Sequence, residues 1–302
     1  MDEQTPTLIF AGSSHPNLVR ELCACQEMRQ GALHLGKFPD GETQVRIMEN
    51  VEGRDLFILQ SIAKQPNDYL LELCVIADAL RRASAKQITA IIPYLGYCRQ
   101  DRQDQSGVPI TAKLVANLLT TAGITRLITF DLHALQIAGF YEIPIKDLRC
   151  QQALYQEYRK VQEAPCVIVA PDTGSIKIAE SMARYTGADL AVLKKARLDP
   201  AGIELSLIGD VKNREVLIVD DLCSTGTTIA AAANLCHNKG AARIVAAVTH
   251  TLFSRATIDK ITACPCDLFL TTNTIEPLPS LPKSVKLFSV ADLIHNEIRN
   301  LT

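Results

Sequence analysis

Two adjacent acids followed by a turn rich in hydroxyls form the segment of this chain best suited to chemistry: VLIVDDLCSTGTTIA, residues 216–230. Ser224, Thr225, Gly226, Thr227 and Thr228 offer hydroxyls and backbone N–H groups to an anion at a helix start. Asp220 and Asp221 stand beside them, and the combination suits a sugar phosphate, with the loop on phosphate and the carboxylates on ribose hydroxyls. An ordinary strand–turn–helix with Ser/Thr caps is the plainer alternative, and two neighbouring acids count against it.

Five further segments hold candidate groups. Asp172 and Gly174 in IVAPDTGSIKIAE (168–180) pair a carboxylate with turn amides, which suits Mg²⁺ and a diphosphate, although Asp/Gly turns are common. Asp131 and His133 follow an apolar run in LITFDLHALQIAGF (127–140); at a strand end the His is either structural or a ligand to metal or nucleotide phosphate. Arg99 and Arg102 in the polar stretch YCRQDRQDQSGVPI (97–110) match phosphate oxygens in charge and geometry, or else belong to a solvated loop. GKFPDGETQVRI (36–47) reads as a hairpin whose turn groups Phe38 with Asp40 and Glu42, with Phe38 able to stack on a base. Lys194, Lys195 and Arg197 in LKKARLDPAGIE (193–204) follow a short strand and lead into a Pro/Gly loop of the kind that can close over a reacting phosphate.

The elements that must position these groups show in the apolar runs. Val216–Val219 is β-rich and too short for a helix, as in a central parallel strand. That puts Asp220 and Asp221 at its carboxyl end, where open α/β sheets gather ligands. The pattern then occurs twice. VRIMENVEGRDLFILQS (45–61) lies over LSLIGDVKNREVLIVDD (205–221), with Arg54 on Arg214 and Asp55 on Glu215. TLIFAGSS (7–14) lies over CVIVAPDT (166–173), and QITAIIPY (87–94) over RIVAAVTH (243–250). Helical stretches at Tyr69–Ser84 and Thr228–Lys239 fall between matching strands. Two similar α/β domains, 1–147 and 148–302, each with a mostly parallel sheet, are expected. In the first, ILQSIAKQPND occupies the place of the acid-bearing loop and has lost the paired acids and the Gly.

Composition narrows the classes. A chain of 302 residues with 47% hydrophobic and 21% charged residues can bury two cores. A net charge of −2 argues against a general binder of nucleic acid or membrane surface, so an anionic ligand has to be met by local cations. No apolar run approaches the ~20 residues of a membrane span, and the acidic start MDEQTPT has no signal-like apolar stretch, so the cytoplasm is the expected compartment. The ten cysteines include two C-x-C pairs, Cys23/Cys25 and Cys264/Cys266, but no zinc-site spacing; reduced thiols acting as small hydrophobes are expected, with Cys223 a candidate oxidation-sensitive position.

Taken together the segments resemble the ribose-phosphate diphosphokinase family over residues 8–295. The resemblance rests on FPDGE (38–42), the run QSIAKQPNDYLLELCVIADALRRASAKQITAIIPYLGYCRQDRQ (60–103), PITAKLVANLL (109–119), ITFDLHALQIAGFYEIP (128–144), the APD-x-G turn (170–174) and VDDLCSTGTT (219–228). Type I phosphoribosyltransferases share only the last of these. The resemblance implies two duplicated type I phosphoribosyltransferase-like α/β domains. It also implies diphosphoryl transfer from MgATP to the 1-hydroxyl of ribose 5-phosphate, giving phosphoribosyl diphosphate and AMP. Asp220, Asp221 and Ser224–Thr228 would hold ribose 5-phosphate; Phe38, Asp40, Glu42, Arg99, Gln100, Asp101 and His133 would hold ATP. His133 and Asp172 would be associated with Mg²⁺, and Lys195 and Arg197 would be the basic catalytic pair. A homo-oligomer, favoured as a hexamer, would complete the ATP site across subunits.

Several positions depart from the family pattern. Ser224 stands where many members have Asp, Thr227 and Ser175 where many have Gly, Ala196 interrupts a basic triplet, and Gly107 replaces a frequent Arg tied to phosphate activation. Retained activity with weakened control by phosphate and ADP is the expectation. A regulatory homologue that binds nucleotide and an active synthetase subunit is the alternative. Ser175 in particular raises the question of a backbone conformation with positive φ.

Overall fold

The computed structural model describes residues 6–25, 27–198 and 202–301, with side chains left undescribed over 195–204. The chain divides into two compact units.

The first unit begins with β1 (Thr7–Ala11), α1 (Pro16–Leu22), β2 (Met28–Gln30), the hairpin of β3 (Leu33–Lys37) and β4 (Thr43–Ile47), and β5 (Asp55–Leu59). It continues through α2 (Pro66–Arg82), β6 (Gln87–Ile92), α3 (Thr111–Ala122), β7 (Arg126–Phe130), a 3-10 turn at Leu135–Phe140 and β8 (Ile145–Leu148). Its six-stranded sheet has the order β2-β1-β5-β6-β7-β8, with every pairing parallel. Apolar runs such as LIF and LFIL are buried on both faces because helices cover them. In α2, Leu73, Ile76, Ala77 and Leu80 recur at helical spacing and pack on Ile58, Ile88 and Leu119. Each buried Leu or Ile side chain of this set contributes roughly 1.5–3 kcal/mol by leaving water.

The second unit contains α4 (Gln151–Arg159), β9 (Cys166–Ala170), α5 (Ile176–Thr186), β10 (Asp189–Leu198), β11 (Gly202–Ile208) and β12 (Glu215–Cys223). α6 (Thr227–Asn238), β13 (Arg243–Thr251), α7 (Arg255–Ala263), β14 (Leu268–Thr272) and β15 (Val285–Phe288) follow. The sheet order is β11-β10-β9-β12-β13-β14-β15, parallel except for the β10–β11 pair. Setting β11 aside, this is the first sheet over again: β10-β9-β12-β13-β14-β15 against β2-β1-β5-β6-β7-β8. β1, β5 and β6, superimposed in the sequence on β9, β12 and β13, are therefore equivalent in the fold, whereas β4, superimposed on β11, pairs in a separate hairpin.

The expected division into 1–147 and 148–302 differs from the units at two places. Thr274–Glu276 and the residues from Val290 onward, including the last helix α8 (Ala291–Arg299), belong to the first unit. The cause is local: Ile294 and Ile298 of α8 are buried, and Arg299 donates twice to the Glu27 carboxylate at 2.8 Å. His295 Nε2 also lies 2.7 Å from Cys25 Sγ, and Lys146 Nζ lies 3.2 Å from Glu297.

Candidate active site

β12 carries the paired acids further into the sheet than a strand ending at Val219 would. Leu222 and Cys223 still pair with His250 and Thr251 of β13, so the open turn is only Ser224–Gly226. Asp220 is buried, and its Oδ1 accepts the Asp221 N–H at 3.0 Å. Gly226 is the N-cap of α6 with φ of +74°, and a Cβ there would lie 3.2 Å from the Thr257 carbonyl oxygen. Glycine answers both demands. Thr257, buried in the first turn of α7, donates from Oγ1 to the Ser224 carbonyl at 2.8 Å and ties the turn down. Thr225 and Thr227 hydroxyls are 3.1 Å apart, and Thr225, Thr227 and Thr228 are exposed. α6 has no acid in its first turn, so its positive end is directed at this opening.

The same edge of the sheet carries the turn after β9. Asp172 Oδ1 accepts the N–H groups of Gly174 at 2.9 Å and Ser175 at 3.1 Å, and Ser175 Oγ donates to the Asp172 carbonyl at 3.1 Å. Ser175 has φ of −87°, a conformation open to any residue; no positive φ is required there. The Asx turn, rather than glycine, bends the backbone.

Like charges gather at this edge. Burial pushes the Asp220 carboxyl up to about 8, and the charges of Asp221 and then Asp172 push in the same direction. Three oxygen-donor carboxylates acting on one another fit a hard divalent cation. Among the described residues no three His, Cys, Asp or Glu groups close a metal site by themselves. That suits an ion that takes most of its ligands from water and phosphate oxygens.

The first unit holds the other predicted groups. The β3–β4 hairpin pairs Lys37 with Thr43, and its tip is closed by bonds from Phe38 N to Glu42 O at 2.8 Å and from Glu42 N to Asp40 Oδ1 at 3.2 Å. Phe38, Asp40 and Glu42 are exposed together there, with 45% of Phe38 open to solvent. Residues 93–110 run from β6 to α3 without a helix or strand. Within them Arg99 and Gln100 are exposed, Gln100 O accepts from Ala112 N at 3.2 Å, and Asp101 accepts from Gln136 Nε2 at 2.5 Å. That bond joins the segment to the turn after β7, where His133 is exposed. Asp131, two residues earlier, is buried with φ of +36°, a strained conformation for a non-glycine residue that turns the chain sharply off the strand.

Lys195 and Arg197 lie on β10, not in a loop. The backbone registers pair Lys195 with Leu205 and Arg197 with Ile203. Residues 199–201 of the expected Pro/Gly loop lie outside the described residues, as do the two side chains. Alternating GIELSLI in β11 supplies the partner that turns a charged segment into a strand.

Cys223 is corrected. It is 2% exposed, and burial pushes its thiol up to about 12, so it is an inert core thiol and not an oxidation-sensitive one. None of the ten cysteines is in a disulfide. Two groups at the loop escaped the sequence reading: Thr257, and Lys260, whose Nζ donates to Thr227 Oγ1 at 2.8 Å. Their one signal is a Thr and a Lys three apart at the start of the helix after β13, the strand beside β12.

A duplicated, mostly parallel α/β unit with paired acids and a hydroxyl-rich turn at a strand end defines a phosphoribosyltransferase-type protein. Residues 7–123 match the family model described as the N-terminal domain of ribose phosphate pyrophosphokinase, and 139–277 match the phosphoribosyl transferase domain. The ribose-phosphate pyrophosphokinase of Chromobacterium violaceum is 41% identical over 299 residues, covering 97% of this chain and 91% of the relative. That of Aquifex aeolicus is 38% identical, covering 97% and 95%. The crystal structure of phosphoribosylpyrophosphate synthetase from Mycobacterium smegmatis aligns with a TM-score of 0.93 at 35% identity, covering 98% of this chain and 99% of that one. The chain belongs to the ribose-phosphate pyrophosphokinase family.

Proposed function

We propose that this protein transfers the diphosphoryl group of MgATP to the 1-hydroxyl of ribose 5-phosphate, releasing AMP. The observation that carries the reading is the acid-and-hydroxyl strand end of β12 in a chain matched along its length by pyrophosphokinases. Ser224–Thr228 hold the 5-phosphate with loop hydroxyls and amides, and Asp220 and Asp221 hold the ribose hydroxyls. Phe38 stacks on adenine, with Asp40, Glu42, Arg99, Gln100 and Asp101 around the nucleotide. Mg²⁺, associated with Asp172 and His133, supplies charge neutralisation for the phosphates. The sugar 1-oxygen attacks the β-phosphorus as its bond to the AMP oxygen breaks. Lys195 and Arg197 stabilise the charge that develops on the phosphoryl oxygens and the leaving group.

The enzyme works as a homo-oligomer, with a hexamer favoured and the ATP site completed across subunits; Leu71, Leu114 and Leu118, exposed along α2 and α3, give an apolar face for a second copy. The expected partners are ATP and ribose 5-phosphate, and neither nucleic acid nor membrane. No helix among the described residues is long and apolar enough to cross a membrane. The expected compartment is the cytoplasm. Gly107 has φ of +83°, which an Arg would adopt only under strain, and this supports a weakened response to phosphate.

The test is AMP release from ATP and ribose 5-phosphate with Mg²⁺, with and without inorganic phosphate, against Lys195→Ala. Activity that collapses in the variant is expected. Absence of AMP from folded protein that still binds ATP would turn the reading to the regulatory homologue.

A further inference from the structure

Thr227 and Lys260 come from different elements, and neither has a plain structural reason to meet the other. Thr227 opens α6 at the mouth of the turn. Lys260 is an exposed residue in the second turn of α7. Its ammonium donates to Thr227 Oγ1 at 2.8 Å. The neighbouring Arg255 is matched with Asp259 at 3.7 Å, but among the described residues Lys260 forms no ion pair. An ammonium has three donors and one is used here, so two remain for another acceptor. The charge is also felt at the end of β12, where it draws the Cys223 thiol down against burial.

The position is supported from below. Thr257 Oγ1 holds the Ser224 carbonyl, and the Gly226 backbone lies against Thr257, Ile261 and Lys260 Cβ. α7 is thus a floor under the turn, and its one cation at this contact is placed at the turn's open side. The chain's net charge is −2, and the acids at 172, 220 and 221 face the same strand end, so a dianionic phosphate needs a local cation.

We infer that the Thr227–Lys260 pair is a second clamp on the 5-phosphate of the sugar substrate, with Lys260 as its fixed cation and the Thr227 hydroxyl as the group that aims it. In the free protein the ammonium rests on Thr227; with substrate it spans the hydroxyl and a phosphate oxygen as a charge-assisted bond. The clamp rests on the assignment of 224–228 to ribose 5-phosphate, and it adds a binding group from outside that loop.

Lys260→Met should raise the KM for ribose 5-phosphate about tenfold, with a smaller change in kcat and none in the KM for ATP, as the loss of one charge-assisted bond predicts. Lys260→Arg should restore most of it. Thr227→Gly should raise the same KM, and adding Lys260→Met to it should cost less than it does in the parent chain, because the two act as a unit. Calorimetric binding of ribose 5-phosphate should lose part of its salt dependence in Lys260→Met. Thr228→Val reports on the loop itself. If Thr228→Val raises the KM and Lys260→Met changes only thermal stability, the pair is a structural tie and the inference is overturned. If neither alters ribose 5-phosphate binding, the loop assignment has failed and the clamp falls with it.

Discussion

The two halves of this molecule repeat one scaffold and dispose of charge in opposite ways. After β1 the turn amides are spent internally: Ser13 N–H donates to Glu72 at 2.7 Å, and Ser14 N–H to Gln60 at 3.1 Å. Gln60 Nε2 reaches Glu72 at 2.6 Å, and Ser61 N–H donates to Ser14 Oγ at 2.7 Å. Residues 274–276 close the network: Ser61 Oγ donates to Thr274 O at 2.7 Å, and the Glu276 carboxylate pairs with buried His15. The equivalent positions after β9 and β12 hold Asp172, Asp220 and Asp221, whose charges raise Asp220. At these turns the first half satisfies its backbone donors with its own side chains. The other keeps like charges together, an arrangement that costs stability in the free protein.

That contrast can be broken most severely at Asp220. Asp220→Asn should lower kcat/KM for ribose 5-phosphate by about 10²-fold or more, since the proposed sugar contact loses its carboxyl group. The same change should raise the stability of the ligand-free protein at alkaline pH. Between an ordinary carboxyl value and about 8, the folded parent keeps a proton that the unfolded chain releases, so Asp220 lowers stability as pH rises through that window. Melting curves should therefore separate variant and parent at pH 8 and converge near pH 4. A variant no more stable than the parent at pH 8 would contradict the burial and like-charge repulsion at Asp220.

The sealed half should respond in the opposite sense. Glu72→Ala leaves the Ser13 and Gln60 donors without their carboxylate and should cost about 2–3 kcal/mol in denaturant unfolding, with little change in KM for ribose 5-phosphate. The smallest effect is expected at Ser175→Gly. With φ already negative, it removes one hydroxyl bond, about 1 kcal/mol, and should leave kcat within a factor of about three. A large gain in rate would show that the turn needs a conformation the free protein does not hold.

Much of this contrast was legible in the chain. The repeat exposed equivalent strands because parallel β-runs buried on both faces leave long apolar signatures, and DD against QS marked where the halves part. Three things were not legible. The charges of LKKAR suggested a loop, and only pairing with β11 makes it a strand. Ser175 looked like a strained replacement for glycine, but the Asp172 side chain shapes that turn. In ADLIHNEIR the apolar stripe predicts a helix without saying which surface it covers, and the contacts with Glu27 and Cys25 place it on the first unit. Lys260 was invisible for a related reason: an exposed lysine on a helix acquires meaning only from its neighbour across space.

The return of α8 to the first unit bears on how the chain is made. A ribosome delivers all six strands of the first sheet by Leu148 but Ile294, Ile298 and Arg299 much later, so the first unit lacks its last helix while the whole of the second sheet emerges. The second half is free to mature first, and the surface around Cys25 and Glu27 stays open until the closing helix arrives to cover it.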